Sequence, residues 1–441
     1  MIPINFSDYR VRIVILALLL LPPFIVGLYI AMFGVNVIYW DQWSFPPVLQ
    51  HWYDHSLSFM DLFAQHNEHR IFFPQIIMLG IAVVTSYNTV AEMACSYLLL
   101  LLNYYLVFRI CLGGKPLSWQ FLASFIPVAW LVCSLHQWEN LLWGFQVQVF
   151  LCVTGVLLAV LFLGRCRGSD WNLALGVSGG VISSFSFMNG LMVWPAGLVL
   201  LLLKEKRAYR EIFLWLAASG ITALVFFSGW VRPAYHPSPF YFFSRPLDAL
   251  GYFLVINTNA LGFSPENAGK YAVAIAGVLY LFILGFVLYH TVKTGRTRMN
   301  ARAVALVAFA ILTELMLTVG RGGFGIGQAA ASRYVTFTVL GVIGIYLLFL
   351  QLKESPGENS LVRGAFFVFW ALIVAGILLG TMGGIIKGEA IREQRQEMRE
   401  NLLEYATAPD SALKTLFPDP AYVRYWAPFL QKNHLNVFSG G

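Results

Sequence analysis

Apolar runs close to twenty residues long recur along almost the whole of this chain, and that limits the available folds more than any other feature. A bilayer hydrocarbon core is ~30 Å thick and a helix rises ~1.5 Å per residue, so such runs read as membrane-crossing helices. Eleven crossings are expected, at 13–33, 90–110, 118–135, 145–165, 172–187, 191–204, 211–230, 271–291, 301–320, 334–352 and 363–386. The composition agrees: of 441 residues 58% are apolar and 12% charged. The expected fold class is therefore an all-α polytopic membrane bundle. Residues 1–386 would form one transmembrane domain, and 387–441 an extracytoplasmic tail packed on the outer face. The first run follows Arg10 and Arg12 and is long for a signal peptide, so it reads as a retained span.

Loop charge orients the bundle. Sixteen Lys and Arg residues fall in one set of alternate loops, including Arg109, Arg165, Arg167, Lys206, Arg207 and Arg302, against six in the other set. The positive-inside rule puts the N-terminus in the cytoplasm and, after eleven crossings, the C-terminus outside. This loop bias explains much of the net charge of +7, which therefore does not imply a nucleic-acid partner. The five cysteines, Cys166 among them, form no CxxC pair and read as buried apolar residues. No GxxxxGK[ST] or GxGxxG loop is present, so no nucleotide-driven mechanism is visible. The segment Ile71 to Thr85 is apolar but short. It reads as re-entrant or interfacial, broken at Pro74 and Gly80, because a crossing there would reverse every later loop.

In this orientation the outer loops collect the unusual side chains. The first outer loop, 34–89, carries Asp41 between Trp40 and Trp43, and later HNEHR, His66 to Arg70. Tryptophan favours the lipid–water interface, which sets Asp41 at headgroup depth. There it can act as a general base; the competing reading is a cap for the helix starting near Ser44 or Phe45. On a helix His66 and Arg70 would share one face, and His69 nearly so. Arg70 with the two imidazoles suits a phosphate, and Glu68 would orient Arg70 or act as a second carboxylate. HNEHR matches neither HExxH nor HxxEH, so a divalent metal is possible there but not favoured, and no cofactor is expected.

Two further outer loops fit a glycan ligand. HQWENLLWGFQVQ offers Gln137, Trp138, Glu139, Asn140 and Gln146 for sugar hydroxyls and ring faces; Trp43 and Asn189 join that set. The competing reading is an interfacial tryptophan belt. RGGFGIGQAAASRY brackets a glycine-rich turn between Arg321 and Arg333, with Tyr334 beside them, and reads as a second phosphate clamp. The competing reading is a turn whose arginines reach to headgroups. Glu92 and Glu314 lie inside spans, where ionisable groups are functional candidates, although Glu314 could simply pair with Arg321. The outer loop 231–270 opens with a proline and aromatic stretch and continues into an expected interfacial helix.

Together these pieces resemble the GT-C membrane glycosyltransferases, the superfamily of protein O-mannosyltransferases, lipid A aminoarabinose transferase and phage-type O-antigen glucosyltransferases. The match is an acidic residue just after the first span (Asp41), a large first outer loop with interfacial helices, and a long outer loop after the seventh span. Asp41 is followed by Gln42, so the paired acidic signature of the mannosyltransferases is absent, as is a WWDYG-like motif. The resemblance implies a polyprenyl-phosphate sugar donor, a glycan or lipid-linked acceptor, an outer-face reaction with inversion, and residence in the bacterial inner membrane. A lipid-linked sugar flippase and an O-antigen polymerase or ligase are the alternatives.

Overall fold

The computed structural model describes residues 6–165, 169–204, 209–264, 269–353 and 360–440. Cys166, Arg167, Lys206 and Arg207 lie outside the described residues. The architecture is an all-α membrane bundle. Among the described residues nine helices are long and apolar enough to cross a bilayer: Tyr9–Phe33, Thr89–Leu112, Trp119–Leu141, Gly144–Leu163, Tyr209–Phe227, Tyr271–Lys293, Ala301–Phe324, Ser332–Lys353 and Ser360–Leu403. The most enclosed are Gly144–Leu163 and Ser332–Lys353, which are apolar all round, as a helix surrounded by other helices must be.

The two remaining expected crossings form a short pair, Asp170–Ser184 and Val193–Leu202, of 15 and 10 residues. A 3-10 turn, Met188–Met192, joins them. At the far end of the pair Arg210 bonds Asp170 at 2.7 Å. At the joined end the Met188 amide donates to His69 Nδ1 at 3.1 Å. These helices are thus cut short beneath the loop that follows the first span. Counted as two crossings or as none, the pair leaves the sidedness of every other helix unchanged.

Phe72–Thr85 is one unbroken helix of 14 residues. The expected breaks do not occur. Pro74 sits in the first turn, where its missing N–H has no intrahelical partner to lose. Gly80 continues the helix.

The last helix, Ser360–Leu403, runs 44 residues without interruption, so the expected boundary at 386/387 falls inside it. Its buried glycines, Gly376, Gly380, Gly384 and Gly388, recur every fourth residue and make one smooth face. A Cβ on Gly384 would lie 2.5 Å from Leu135 Cβ, and one on Gly388 2.7 Å from the Tyr29 ring. Tyr29 Oη also donates to the Gly384 carbonyl at 2.7 Å. This close approach fixes the helix in register. Beyond it the tail folds back: Leu402, Leu413, Val423 and Leu430 share a buried apolar cluster with Val37, Ile38, Trp43 and Leu49 of the first loop.

Candidate functional site

HNEHR is not helical. Gln65–His66 and His69–Arg70 form a small antiparallel ladder with His66 opposite His69. Asn67 makes the turn at φ 50°, a left-handed conformation that asparagine tolerates better than most residues. The hairpin sets Glu68 at its tip and sends Arg70 to the opposite side. The long loop after Phe227 lies over it: Val231 N–H donates to Gln65 Oε1 at 2.9 Å, and Tyr235 Oη to Asn67 Oδ1 at 2.6 Å. Pro237 packs so close to Gly323 that no side chain fits there, which joins this loop to the glycine-rich turn. Asn259 Nδ2 holds that turn from below, donating to the carbonyls of Ala329 and Ala331.

The recess enclosed by these loops is a cavity of about 430 Å³, within the ~300–1,000 Å³ usual for small-molecule sites. Asp41, Glu68, His69, Glu139, Gln146, Arg321, Arg333 and Tyr334 all line it. Four loops far apart in sequence therefore meet at one place. Tyr39, Trp40, Gln148 and Tyr235 also line it and were not among the expected residues. Sequence reading set both tryptophans at the interface and Trp43 in the sugar-binding set, but Trp43 is fully buried and Trp40, 46% exposed, is the one on the cavity wall. A tryptophan pair does not itself reveal which member faces inward.

Asp41 stands in a 3-10 turn, Trp40–Ser44, and caps no helix: the following helix, Pro46–Tyr53, has no side-chain cap. Its side chain is 37% exposed, with His66 Nε2 3.8 Å from Oδ2. Burial pushes its carboxyl up, but His66, His69 and Arg333 outweigh that and hold it below the usual carboxylate value. Asp41 is thus a carboxylate at neutral pH on the cavity wall, beside His66 and accepting from Asn67 Nδ2 at 3.4 Å, with no lysine or arginine paired to it among the described residues.

Glu68 is differently placed. It is ion-paired with Arg321, His69 Nε2 lies 3.4 Å from Oε1, and His236 Nε2 lies 3.4 Å from Oε2. Burial pushes Glu68 up, and the opposing charges of His69 and Arg321 bring it down to about 2. His69 is itself lowered to about 4, first by burial, so above that pH Arg321 is the cation that keeps Glu68 ionised. The Met188 amide donates to His69 Nδ1, which leaves Nε2 as the protonated nitrogen of the neutral ring, facing Glu68. The His69 ring stacks on Phe187 at 3.8 Å. Glu314 does not pair with Arg321; both its carboxylate oxygens are buried without a hydrogen-bond partner among the described residues.

Several expected residues lie elsewhere. Arg70 is 6% exposed and donates to the carbonyls of Phe226 at 2.7 Å, Phe63 at 3.0 Å and Ser228, so its guanidinium is committed to backbone rather than to the cavity. Gln137 donates to the Val132 carbonyl and accepts from Thr336. Asn140 donates to the Arg333 carbonyl at 3.0 Å and to Thr336 Oγ1 at 2.7 Å, buttressing the arginine from behind. Trp43 is wholly buried, Asn189 is buried at the turn under the cavity, and Trp138 faces Lys387 at 6.0 Å. His66 reaches the site through Asp41. Among the described residues no three His, Cys, Asp or Glu side chains come together as a metal site.

No protein-family model matches the chain, and no curated protein matches it in sequence.

Proposed function

We propose that the chain is a GT-C-type glycosyltransferase that moves a sugar from a polyprenyl-phosphate donor to a glycan or lipid-linked acceptor on the extracytoplasmic face of the bacterial inner membrane. The observation that carries this reading is the meeting, in one cavity, of the carboxylate of Asp41, which makes no ion pair with a lysine or arginine among the described residues, with the two arginines Arg321 and Arg333. Transfer needs both functions together. Asp41 accepts the acceptor hydroxyl proton as that oxygen bonds the anomeric carbon. The bond from the anomeric carbon to the phosphate oxygen breaks, and the polyprenyl phosphate leaves with the electron pair. Arg321 and Arg333 stabilise the charge that develops on it. Each arginine gives one part of its guanidinium to a glutamate and keeps donors for a phosphate. Gln146 and Gln148, both nine-tenths buried with Oε1 atoms that have no partner among the described residues, supply acceptors for sugar hydroxyls.

The sidedness belongs to the same proposal: eleven crossings, the short pair included, an N-terminus inside and a C-terminus outside. Transfer from purified short-chain polyprenyl-phosphate hexoses, followed in proteoliposomes, tests the chemistry. Movement of intact lipid-linked sugar across the bilayer without transfer would favour the flippase reading. A C-terminal tag that resists a membrane-impermeant reagent in spheroplasts would overturn the sidedness.

A further inference from the structure

Tyr39 lies on the cavity wall two residues before Asp41. Its ring is gripped from two directions. The Arg395 guanidinium sits over it, 3.5 Å from the ring centroid, and Trp143 meets it edge-on at 5.5 Å. Its hydroxyl makes no hydrogen bond among the described residues, although Asp41, Glu139 and Arg333 all act on it electrostatically. A partly buried tyrosine hydroxyl normally finds a partner, and this one, on a residue of the cavity wall, has none among the described residues.

Arg395 is unusual in its own right. It is 8% exposed, makes no ion pair or hydrogen bond among the described residues, and its Nε is buried without a partner. Burying a charge out of contact with a counter-ion is costly, and the compensation on view is the tyrosine face, with the Glu139 carboxylate acting from further off. Its placement is not accidental either. Arg395 lies two turns beyond Gly388, on the face that the glycine ladder holds in register. The end of the tail anchors the same segment: Asn436 Oδ1 accepts from the Ile38 amide at 3.2 Å, and Asn436 Nδ2 donates to Asn36 Oδ1 at 2.8 Å.

We propose that Tyr39 is a substrate-binding residue whose hydroxyl bonds a hydroxyl of the donor sugar, and that Arg395 is the positioning residue that holds it there. The C-terminal segment is then a working part of the site and not a cover over it. This rests on the glycosyltransferase reading. Donor binding by the full-length protein tests it, read as the thermal shift produced by a panel of short-chain polyprenyl-phosphate hexoses, alongside KM and kcat for transfer. Tyr39→Phe keeps the ring and its stacking, and weakens binding of the preferred donor about tenfold, the value of one hydrogen bond. Arg395→Met weakens it similarly, and Arg395→Lys restores part of the loss, since an ammonium also favours the ring face. In the double variant Tyr39→Phe/Arg395→Met the losses do not add, because the arginine acts through the tyrosine. An unchanged donor affinity in Tyr39→Phe, or losses that add, overturns the inference while the wild type still binds and transfers. A wild type that neither binds nor transfers any donor of the panel overturns both readings.

Discussion

Arg333 Nη1 donates to Glu139 Oε1 at 2.9 Å, joining two residues 194 positions apart in the chain. Arg321 and Glu68 make the equivalent pair across the cavity. Both arginines are thereby aimed before any ligand arrives, which lowers the ordering cost of binding an anion. The cavity holds three carboxylates, Asp41, Glu68 and Glu139, against these two cations, so it is a pre-organised clamp and not a strong positive field.

From that geometry Arg321→Lys and Arg333→Lys should not behave as conservative changes. Lysine keeps the charge but cannot serve a glutamate and a phosphate at once with a planar fork. At least one of the two loses donor affinity or turnover by about tenfold or more, the scale of one charge-assisted hydrogen bond. Wild-type kinetics in both variants would move the clamp elsewhere.

Asp41→Asn keeps the size and shape of the side chain but removes the proton acceptor. Transfer should fall by ~10²–10⁴ while donor binding survives. Since Asp41 caps no helix, its stability should stay close to wild type. Because Asp41 lies below the usual carboxylate value, the wild-type rate should show no Asp41 acid limb above 3.8. Near-normal transfer by Asp41→Asn at equal protein would leave Glu139 as the next candidate base.

Acid should destabilise the fold in two overlapping steps. His69 is lowered from 6.5 to about 4, so the unfolded chain binds this proton first and stability falls as pH drops from 6.5 to about 4. Glu68 is lowered from 4.5 to about 2, and its contribution is lost over that lower window. Thermal unfolding of the detergent-solubilised protein against pH reads both. His69→Gln should reduce the upper step, to which His236, also lowered by burial, contributes, and should shrink the lower one, because His69 is among the charges that hold Glu68 down; a profile identical to wild type would show that His69 is not the group titrating.

Arg70→Met should act on folding rather than on ligand. It strips partners from three carbonyls, a loss on the order of 3 kcal/mol at ~1–3 kcal/mol per buried group left unsatisfied. The apparent unfolding temperature and yield should drop while the folded fraction keeps wild-type donor affinity. A variant of normal stability that no longer binds donor would return Arg70 to the clamp.

Sequence alone determined the solvent in which this chain folds. Nine of the eleven apolar runs became long helices at nearly the expected positions, because a run of that length in lipid has no other way to satisfy its backbone. It also marked out Asp41, Glu68, Glu139, Arg321 and Arg333, since charged groups in so apolar a chain are conspicuous wherever they fall. What it left open is partnership. Whether Glu68 faces Arg70, Arg321 or neither depends on a turn at Asn67 that converts an expected helix into a hairpin. Whether Arg70 binds an anion or backbone depends on carbonyls at the end of a helix more than 150 residues away. The role of Arg395 rests on a glycine ladder whose spacing is visible in the chain but whose register exists only against Leu135 and Tyr29. Local pattern fixes which segments are buried in lipid; the pairing of buried charges is a long-range outcome, decided by which loops the packed helices bring together.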